Sequence, residues 1–195
     1  MDRLARSIHG DNLKIAFAFL LSMPGAPFIY YGDEIGMRYV ENLVSVEGGY
    51  GRTGSRSPMQ WDNSTNAGFS SAPKEKLYIQ QDESSDRPTA EAQLADKNSL
   101  YHEIKKLIAI RQEHAALQSK GDIEFVYAEK NAYPLAYIRS TADEKILVII
   151  NPAAREVSFD CDIVPKETVY SFGGTVSFAD GKVTAAPQSA GYYRF

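Results

Sequence analysis

Residues able to do chemistry gather in two short stretches: Asp33 and Glu34 in "YYGDEIGM", and Arg56, Gln60, Trp61 and Asp62 in "GSRSPMQWD". The first stretch offers two adjacent carboxylates. Consecutive residues leaving an extended segment point to opposite faces. Asp33 and Glu34 therefore do not face each other across one bond, and they are expected to brace the loop they begin. The second stretch offers a guanidinium fork, which suits paired hydroxyls or a carboxylate. It also offers an indole that either stacks on a ligand or plugs a local gap. Gln60 and Asp62 either hydrogen-bond a ligand or close turns. Other chemistries find little footing. His9, His102 and His114 lie far apart without metal-ligand spacing, so no metal is expected. The single cysteine, Cys161, sits in strand-like sequence where a small buried hydrophobe is its ordinary role. No phosphate-cradling glycine loop and no nucleophile elbow occurs, and no cofactor is implied.

The elements that must position these residues can be read from the pattern around them. Asp11-Asn12 is a candidate N-cap for "LKIAFAFLLSM", which predicts a helix from Asp11 to Met23. It is apolar nearly all round, so it should be buried on more than one side. Pro24 and Gly25 end it. The two-sided apolar run Pro27 to Tyr31 predicts a parallel-sheet strand, with Tyr30 and Tyr31 mostly core. Nothing before it supplies that strand with neighbours. From Arg38 to about Lys97 periodicity gives way to Gly, Pro, Ser, Asn and Asp, and a loop of that length is usually functional when ordered. "SLYHEIKKLIAIRQEH" predicts a helix over Ser99 to His114, with Leu100, Ile104, Leu107, Ile108 and Arg111 at helical spacing.

Beyond Gln118, short β-rich runs recur between turn signals such as Asn131, Asn151-Pro152, Gly173-Gly174 and Asp180-Gly181. This punctuation predicts an antiparallel β-sandwich of Greek-key type, in which Tyr192 and Tyr193 are packing residues. The chain thus reads as α+β, with one domain over residues 1–118 and the sandwich over residues 119–195. At 195 residues, with 44% hydrophobic and 24% charged, the composition is ordinary for a globular protein. A net charge of −4 with interspersed signs argues against nucleic-acid binding and against a polybasic membrane patch. The apolar run from Ile15 to Met23 is too short to span a bilayer.

"GAPFIYYGDEIGM", then "GSRSPMQWDNSTNAGFS", then a helix ending in "IAIRQEHAAL" together resemble the C-terminal part of an α-amylase superfamily enzyme of glycoside hydrolase family 13. The nearest branch is that of α-glucosidase, oligo-1,6-glucosidase and trehalose synthase. The resemblance implies that Pro27 to Tyr31 is the eighth strand of a (β/α)8 barrel. Asp11 to Met23 and Ser99 to His114 would be its seventh and eighth helices, and the sandwich the family's C-terminal domain. It also implies a retaining enzyme for short α-glucosides, with an Asp nucleophile, a Glu acid/base and a second Asp, all on earlier strands. The last of these lies in an Asn-His-Asp motif ahead of a segment like "MDRLARS". The expectation is therefore a fragment without catalytic residues, inactive alone. Retaining glycosidases hold two carboxyl groups about 5–5.5 Å apart, which adjacent Asp33 and Glu34 cannot easily supply.

By the same resemblance Arg56 matches an arginine near the acceptor-sugar subsite, with Ser57 where threonine is usual. Gln60, Trp61 and Asp62 join it as candidate contacts to α-glucosides or maltooligosaccharides, because barrel sites form at the C-terminal ends of strands. The unpaired apolar strand predicts a homodimer that covers its edge. A cytoplasmic location is expected. Two other readings stay open: a stand-alone carbohydrate-binding or assembly module, and part of a trehalose synthase-type isomerase.

Overall fold

The computed structural model describes residues 2–44 and 51–195. Gly48 and Gly49, among the loop signals noted above, lie outside the described residues. Contacts group the chain into two compact units, one formed by residues through His9 with Phe28–Glu103, the other by Gly10–Pro27 with Ile104–Phe195. The structure combines helices with antiparallel sheet.

The second unit contains eight strands: β1 (Asp122–Tyr127), β2 (Leu135–Ser140), β3 (Lys145–Asn151), β4 (Val157–Asp160), β5 (Glu167–Phe172), β6 (Val176–Ala179), β7 (Lys182–Ala185) and β8 (Ser189–Arg194). They form a five-stranded sheet in the order β1-β2-β3-β8-β5 and a three-stranded sheet in the order β4-β7-β6, with antiparallel pairing throughout. Leu147, Ile149, Ala136 and Tyr193 of the larger sheet share a buried cluster with Phe159, Val183 and Ala185 of the smaller. Because side chains alternate along a strand, Val148, Tyr137 and Tyr192 face the other way, where helix α1 (Asn12–Ser22) lies. The Tyr192 hydroxyl donates to the Ala18 carbonyl at 2.5 Å, and the Tyr137 and Ser22 hydroxyls meet at 2.5 Å. Strand β3, "KILVIIN", is apolar on both faces for this reason: one face meets the second sheet and the other meets α1.

Helix α1 keeps the expected span, with Ile15, Phe17, Ala18 and Leu21 buried, but the Asp11 side chain makes no capping bond. Its C-terminus is held by two arginines. Arg111 donates to the carbonyls of Leu21, Met23 and Gly25 at 2.7, 2.8 and 2.7 Å. Arg139, fully buried, donates to those of Ser22, Gln118, Gly121 and Asp122. Positive charge is favoured at the carbonyl end of a helix. Helix α3 (Leu100–Glu113) buries Leu100, Ile104, Leu107, Ile110 and Arg111. Ile108, expected on that stripe, is instead 37% exposed. At 3.6 residues per turn it lies one step past the Ile104-Leu107-Arg111 row, and Ile110 flanks the row from the other side.

In the first unit the expected strand over Pro27 to Tyr31 carries no ladder. Residues 26–30 are without regular structure, and Phe28 is 90% exposed. An isolated extended run is not a strand until another strand satisfies its backbone groups, and no described strand precedes Asp122. The described residues of the long segment after Arg38 are largely irregular, as expected, with short 3-10 turns and, among them, one helix, α2 (Ala90–Ala95), that the sequence pattern missed.

Candidate functional site

The candidate residues belong to the first unit and are set out from the turn at Tyr31-Gly32-Asp33. Gly32 has φ 84°, and a Cβ there would lie 2.3 Å from the Met37 sulfur. Only glycine fits both demands. The Gly32 carbonyl accepts from the Met37 and Ile35 amides at 2.8 and 3.3 Å, which closes a 3-10 turn over Asp33–Ile35. Arg3, only 1% exposed, holds this turn from beneath. Its guanidinium donates to the Tyr31 carbonyl, approaches Asp33 Oδ1 at 3.3 Å, and lies 4.7 Å from the ring centres of both Tyr30 and Tyr31. Burial raises the Asp33 pKa above its ordinary value, and the bond from Arg3 offsets only part of that. Asp33 is therefore tied into the turn.

Burial also pushes the Tyr31 hydroxyl up to about 12, with Tyr30 beside it adding to the effect. A phenol that stays protonated is a dependable donor, and it donates to the Ser57 carbonyl at 2.9 Å. This bond holds the Arg56 segment against the turn. Arg56 ends a 3-10 turn over Thr53–Arg56; it is exposed and makes no ion pair with a described carboxylate. Gly54 lies so close to Val40 that a Cβ would sit 2.1 Å from the Val40 carbonyl oxygen, and the Val40 amide donates to Gly54 at 3.0 Å. Ser57 is fully buried.

Gln60 turns inward and is fully buried. Its side-chain amide donates to the Pro88 carbonyl, and its backbone carbonyl accepts from the Ala90 amide at 2.9 Å. With the Glu91 amide on the Trp61 carbonyl, also 2.9 Å, it fixes the start of α2. Trp61 is 50% exposed, so one part of the indole is offered to solvent. Asp62 accepts from the Ser64 amide at 2.8 Å and from its hydroxyl, and these bonds lower its pKa. The turn continues through three left-handed residues, Asn66, Ala67 and Gly68, with φ of 51°, 51° and 70°. Ala67 is buried there, and its carbonyl receives the Trp61 and Asp62 amides at 2.8 and 3.3 Å. Left-handed non-glycine residues are uncommon and persist where surrounding bonds over-determine them.

The structure thus presents Arg56, Trp61 and Asp62 at the surface of one loop system and turns Gln60 into its support. Three supports escaped the sequence. Arg3 was unmarked because a lone arginine reads as surface. Arg38 closes the long loop through Asp82 at 3.0 Å, Asp86 at 3.0 and 3.1 Å, and Ser84 at 2.7 Å. Helix α2 had a legible signal, since Thr89 accepts from the Ala92 amide at 3.2 Å as an N-cap before an Ala-rich run. Among the described residues no group of three or more His, Cys, Asp or Glu could hold a metal ion, and no helix is long and apolar enough to cross a membrane.

Comparison with known proteins decides the family. The profile described as "Alpha amylase, catalytic domain" matches residues 2–120. The chain belongs to the alpha-amylase family. Among this family's members it is 32% identical, over 166 residues, to the trehalose synthase of Thermus thermophilus, covering 81% of this chain and 16% of that protein. It is 31% identical over 169 residues to the oligo-1,6-glucosidase of Parageobacillus thermoglucosidasius, covering 72% of this chain and 29% of that protein. The crystal structure of the trehalulose synthase from Pseudomonas mesoacidophila MX-45 superposes with a TM-score of 0.78 at 26% identity. That likeness covers 94% of this chain and 38% of the other. The chain spans well under half the length of each of these relatives.

Proposed function

We propose that this chain is the barrel-end and C-terminal portion of a retaining α-glucoside hydrolase or transglycosidase acting on short α-glucosides. The observation that carries the reading is the catalytic-domain match over residues 2–120, which contains the loop "SRSPMQWD". In this reading residues 1–118 contribute the last helix, strand and helix of a (β/α)8 barrel, and residues 119–195 form its C-terminal β-sandwich. Barrel enzymes place their sites at the C-terminal ends of the strands, so the loop after Tyr31 is the part that meets sugar. Arg56 offers its exposed fork to hydroxyls, Trp61 its open indole face and Asp62 a carboxylate held ionised. Gln60 serves the same loop from within.

By itself the chain does not turn over glycosides. A retaining mechanism takes two carboxyl groups about 5–5.5 Å apart on either side of the bond, and Asp33 is committed to Arg3 while Glu34 is its immediate neighbour. The names of the relatives include both hydrolases and trehalose synthases, and water access at the reacting centre separates those outcomes. The test is incubation of the chain with maltose, isomaltose and trehalose, with glucose release and disaccharide interconversion followed by chromatography. No turnover is expected. Conversion of any of the three, above that of a heat-unfolded control, would overturn the reading.

A further inference from the structure

The loop that carries Arg56, Trp61 and Asp62 is backed by a strap, residues 81–91 of the same unit. The strap meets the loop at its two ends. At one end Gln81 Nε2 donates to the Met59 carbonyl at 3.5 Å. At the other the Gln60 side chain donates to the Pro88 carbonyl, and the Ala90 and Glu91 amides donate to the Gln60 and Trp61 carbonyls, both at 2.9 Å. Between the ends, residues 82–87 curl back on themselves. Asp82 Oδ1 accepts from the Ser84 amide at 3.0 Å and from its hydroxyl, while the Arg87 amide and Nη1 donate to the Ser84 and Asp82 carbonyls, both at 3.2 Å. The curl closes on one side chain from outside it, Arg38. All three guanidinium nitrogens are engaged: Nε with Asp82, Nη1 with Asp86, and Nη2 with both Ser84 and Asp86.

Arg38 is itself fixed at the turn after Tyr31. It follows Met37, which is fully buried and whose amide donates to the Gly32 carbonyl at 2.8 Å. A guanidinium that grips two carboxylates, one of them through two parallel bonds, is stronger and better defined in geometry than an ordinary surface pair. The grip is nonetheless open to solvent, since the Arg38 and Asp86 side chains are 37% and 75% exposed. The contacts between strap and loop are of another kind, neutral amides around the fully buried Gln60. Salt screens exposed charges and leaves such amide bonds in place. We propose that Arg38 is the positioning residue of the loop from Arg56 to Asp62. It folds residues 82–87 so that both ends of the strap lie against the loop, and rising ionic strength releases this hold. The consequence for sugar contacts rests on the function proposed above, whereas the hold itself is measured without substrate.

Trp61 is the only tryptophan of the chain and lies on this loop, so quenching of its fluorescence by acrylamide, which is uncharged, reports the order of the loop. The test compares the full chain with Arg38→Gln, Arg38→Lys and Asp86→Asn by acrylamide quenching and by amide hydrogen exchange. Arg38→Gln is expected to raise the Trp61 quenching constant about twofold and to speed exchange of the Ala90 and Glu91 amides about tenfold, as local opening of a strap end requires. The Met37 amide should keep its rate. Arg38→Lys should recover less than half of the change, because an ammonium lacks the fork. Asp86→Asn should move both readings the same way by less, and it decides the matter if Arg38→Gln fails to fold. Raising NaCl from about 0.05 to about 1 M should bring the parent's quenching constant toward that of Arg38→Gln and leave the variant's unchanged. Quenching and exchange unaltered in Arg38→Gln and Asp86→Asn, equal acceleration at Met37, full recovery by Arg38→Lys, or one salt response shared by parent and variant would each overturn the proposal.

Discussion

Arg3 is the side chain on which the turn after Tyr31 depends. It supplies a charge to Asp33, a donor to the Tyr31 carbonyl and a planar surface to two rings. Arg3→Leu should therefore destabilise the first unit by about 2 kcal/mol, the size expected for losing bonds from a charged donor next to a partly buried partner. Urea unfolding followed by Trp61 fluorescence measures this, since Trp61 lies in the same unit; an unchanged midpoint would mean that ring packing alone holds the turn. Arg3→Lys should restore less than half of the loss, because an ammonium cannot lie flat between two rings. Glu144 gives a pH test in the second unit. Desolvation pushes its pKa up, but it meets His114 Nδ1 at 2.6 Å and accepts from the Ala116 amide at 2.9 Å, and these bonds outweigh desolvation and hold the pKa below its ordinary value. A depressed carboxylate stabilises the fold above its unfolded pKa, and that contribution disappears as pH falls through the lower folded value. Glu144→Gln should flatten this part of the stability profile below pH 4.5; an identical acid limb in both proteins would refute the assignment.

At the scale of elements, the C-terminus of α1 is the point where two arginines replace the usual glycine cap. Arg111→Met leaves three carbonyls without their donors and removes a favourable charge from the helix end, at a cost of about 2–4 kcal/mol. Equilibrium unfolding followed by far-ultraviolet circular dichroism measures the loss, and a change under about 0.5 kcal/mol, ordinary for a surface position, would remove Arg111 from this role. The eight strands were legible in the sequence because short β-rich runs are separated by turns that carry left-handed residues, Asn131 at φ 59°, Gly173 at 76° and Asp180 at 52°. Those are local signals. What could not be read depends on partners distant in the chain. Residues 27–31 have the composition of a strand, but pairing makes a strand. Arg111 had the right helical phase, yet its task is set by carbonyls some ninety positions earlier. In the site, the residue types of Arg56, Trp61 and Asp62 were legible, whereas the inward turn of Gln60 follows from its distant partner Pro88.

At the scale of the whole molecule, the exposed segment around Phe28 makes self-association the expected behaviour. Phe28 is 90% exposed and lies outside any regular element, and neither Phe28 nor Ile29 makes a backbone hydrogen bond to a described residue. Such an edge offers both unpaired peptide groups and apolar surface, the two ingredients of strand-to-strand pairing between chains. A net charge of −4 on 195 residues opposes this only weakly. A two-fold symmetric pairing of residues 27–31 with the same residues of a second copy is an isologous contact, which closes at two subunits and favours a dimer over an open chain of subunits. Sedimentation velocity over a concentration series should then show a monomer–dimer equilibrium. Because the contact is apolar and backbone-mediated, added salt should not weaken it, unlike a contact between surface charges. Phe28→Lys places like charges on both copies at that edge and should shift the equilibrium to monomer without altering the circular dichroism of the β-rich unit. A parent chain that stays monomeric throughout the series, or a Phe28→Lys variant that dimerises as well as the parent, would rule out this edge as the contact.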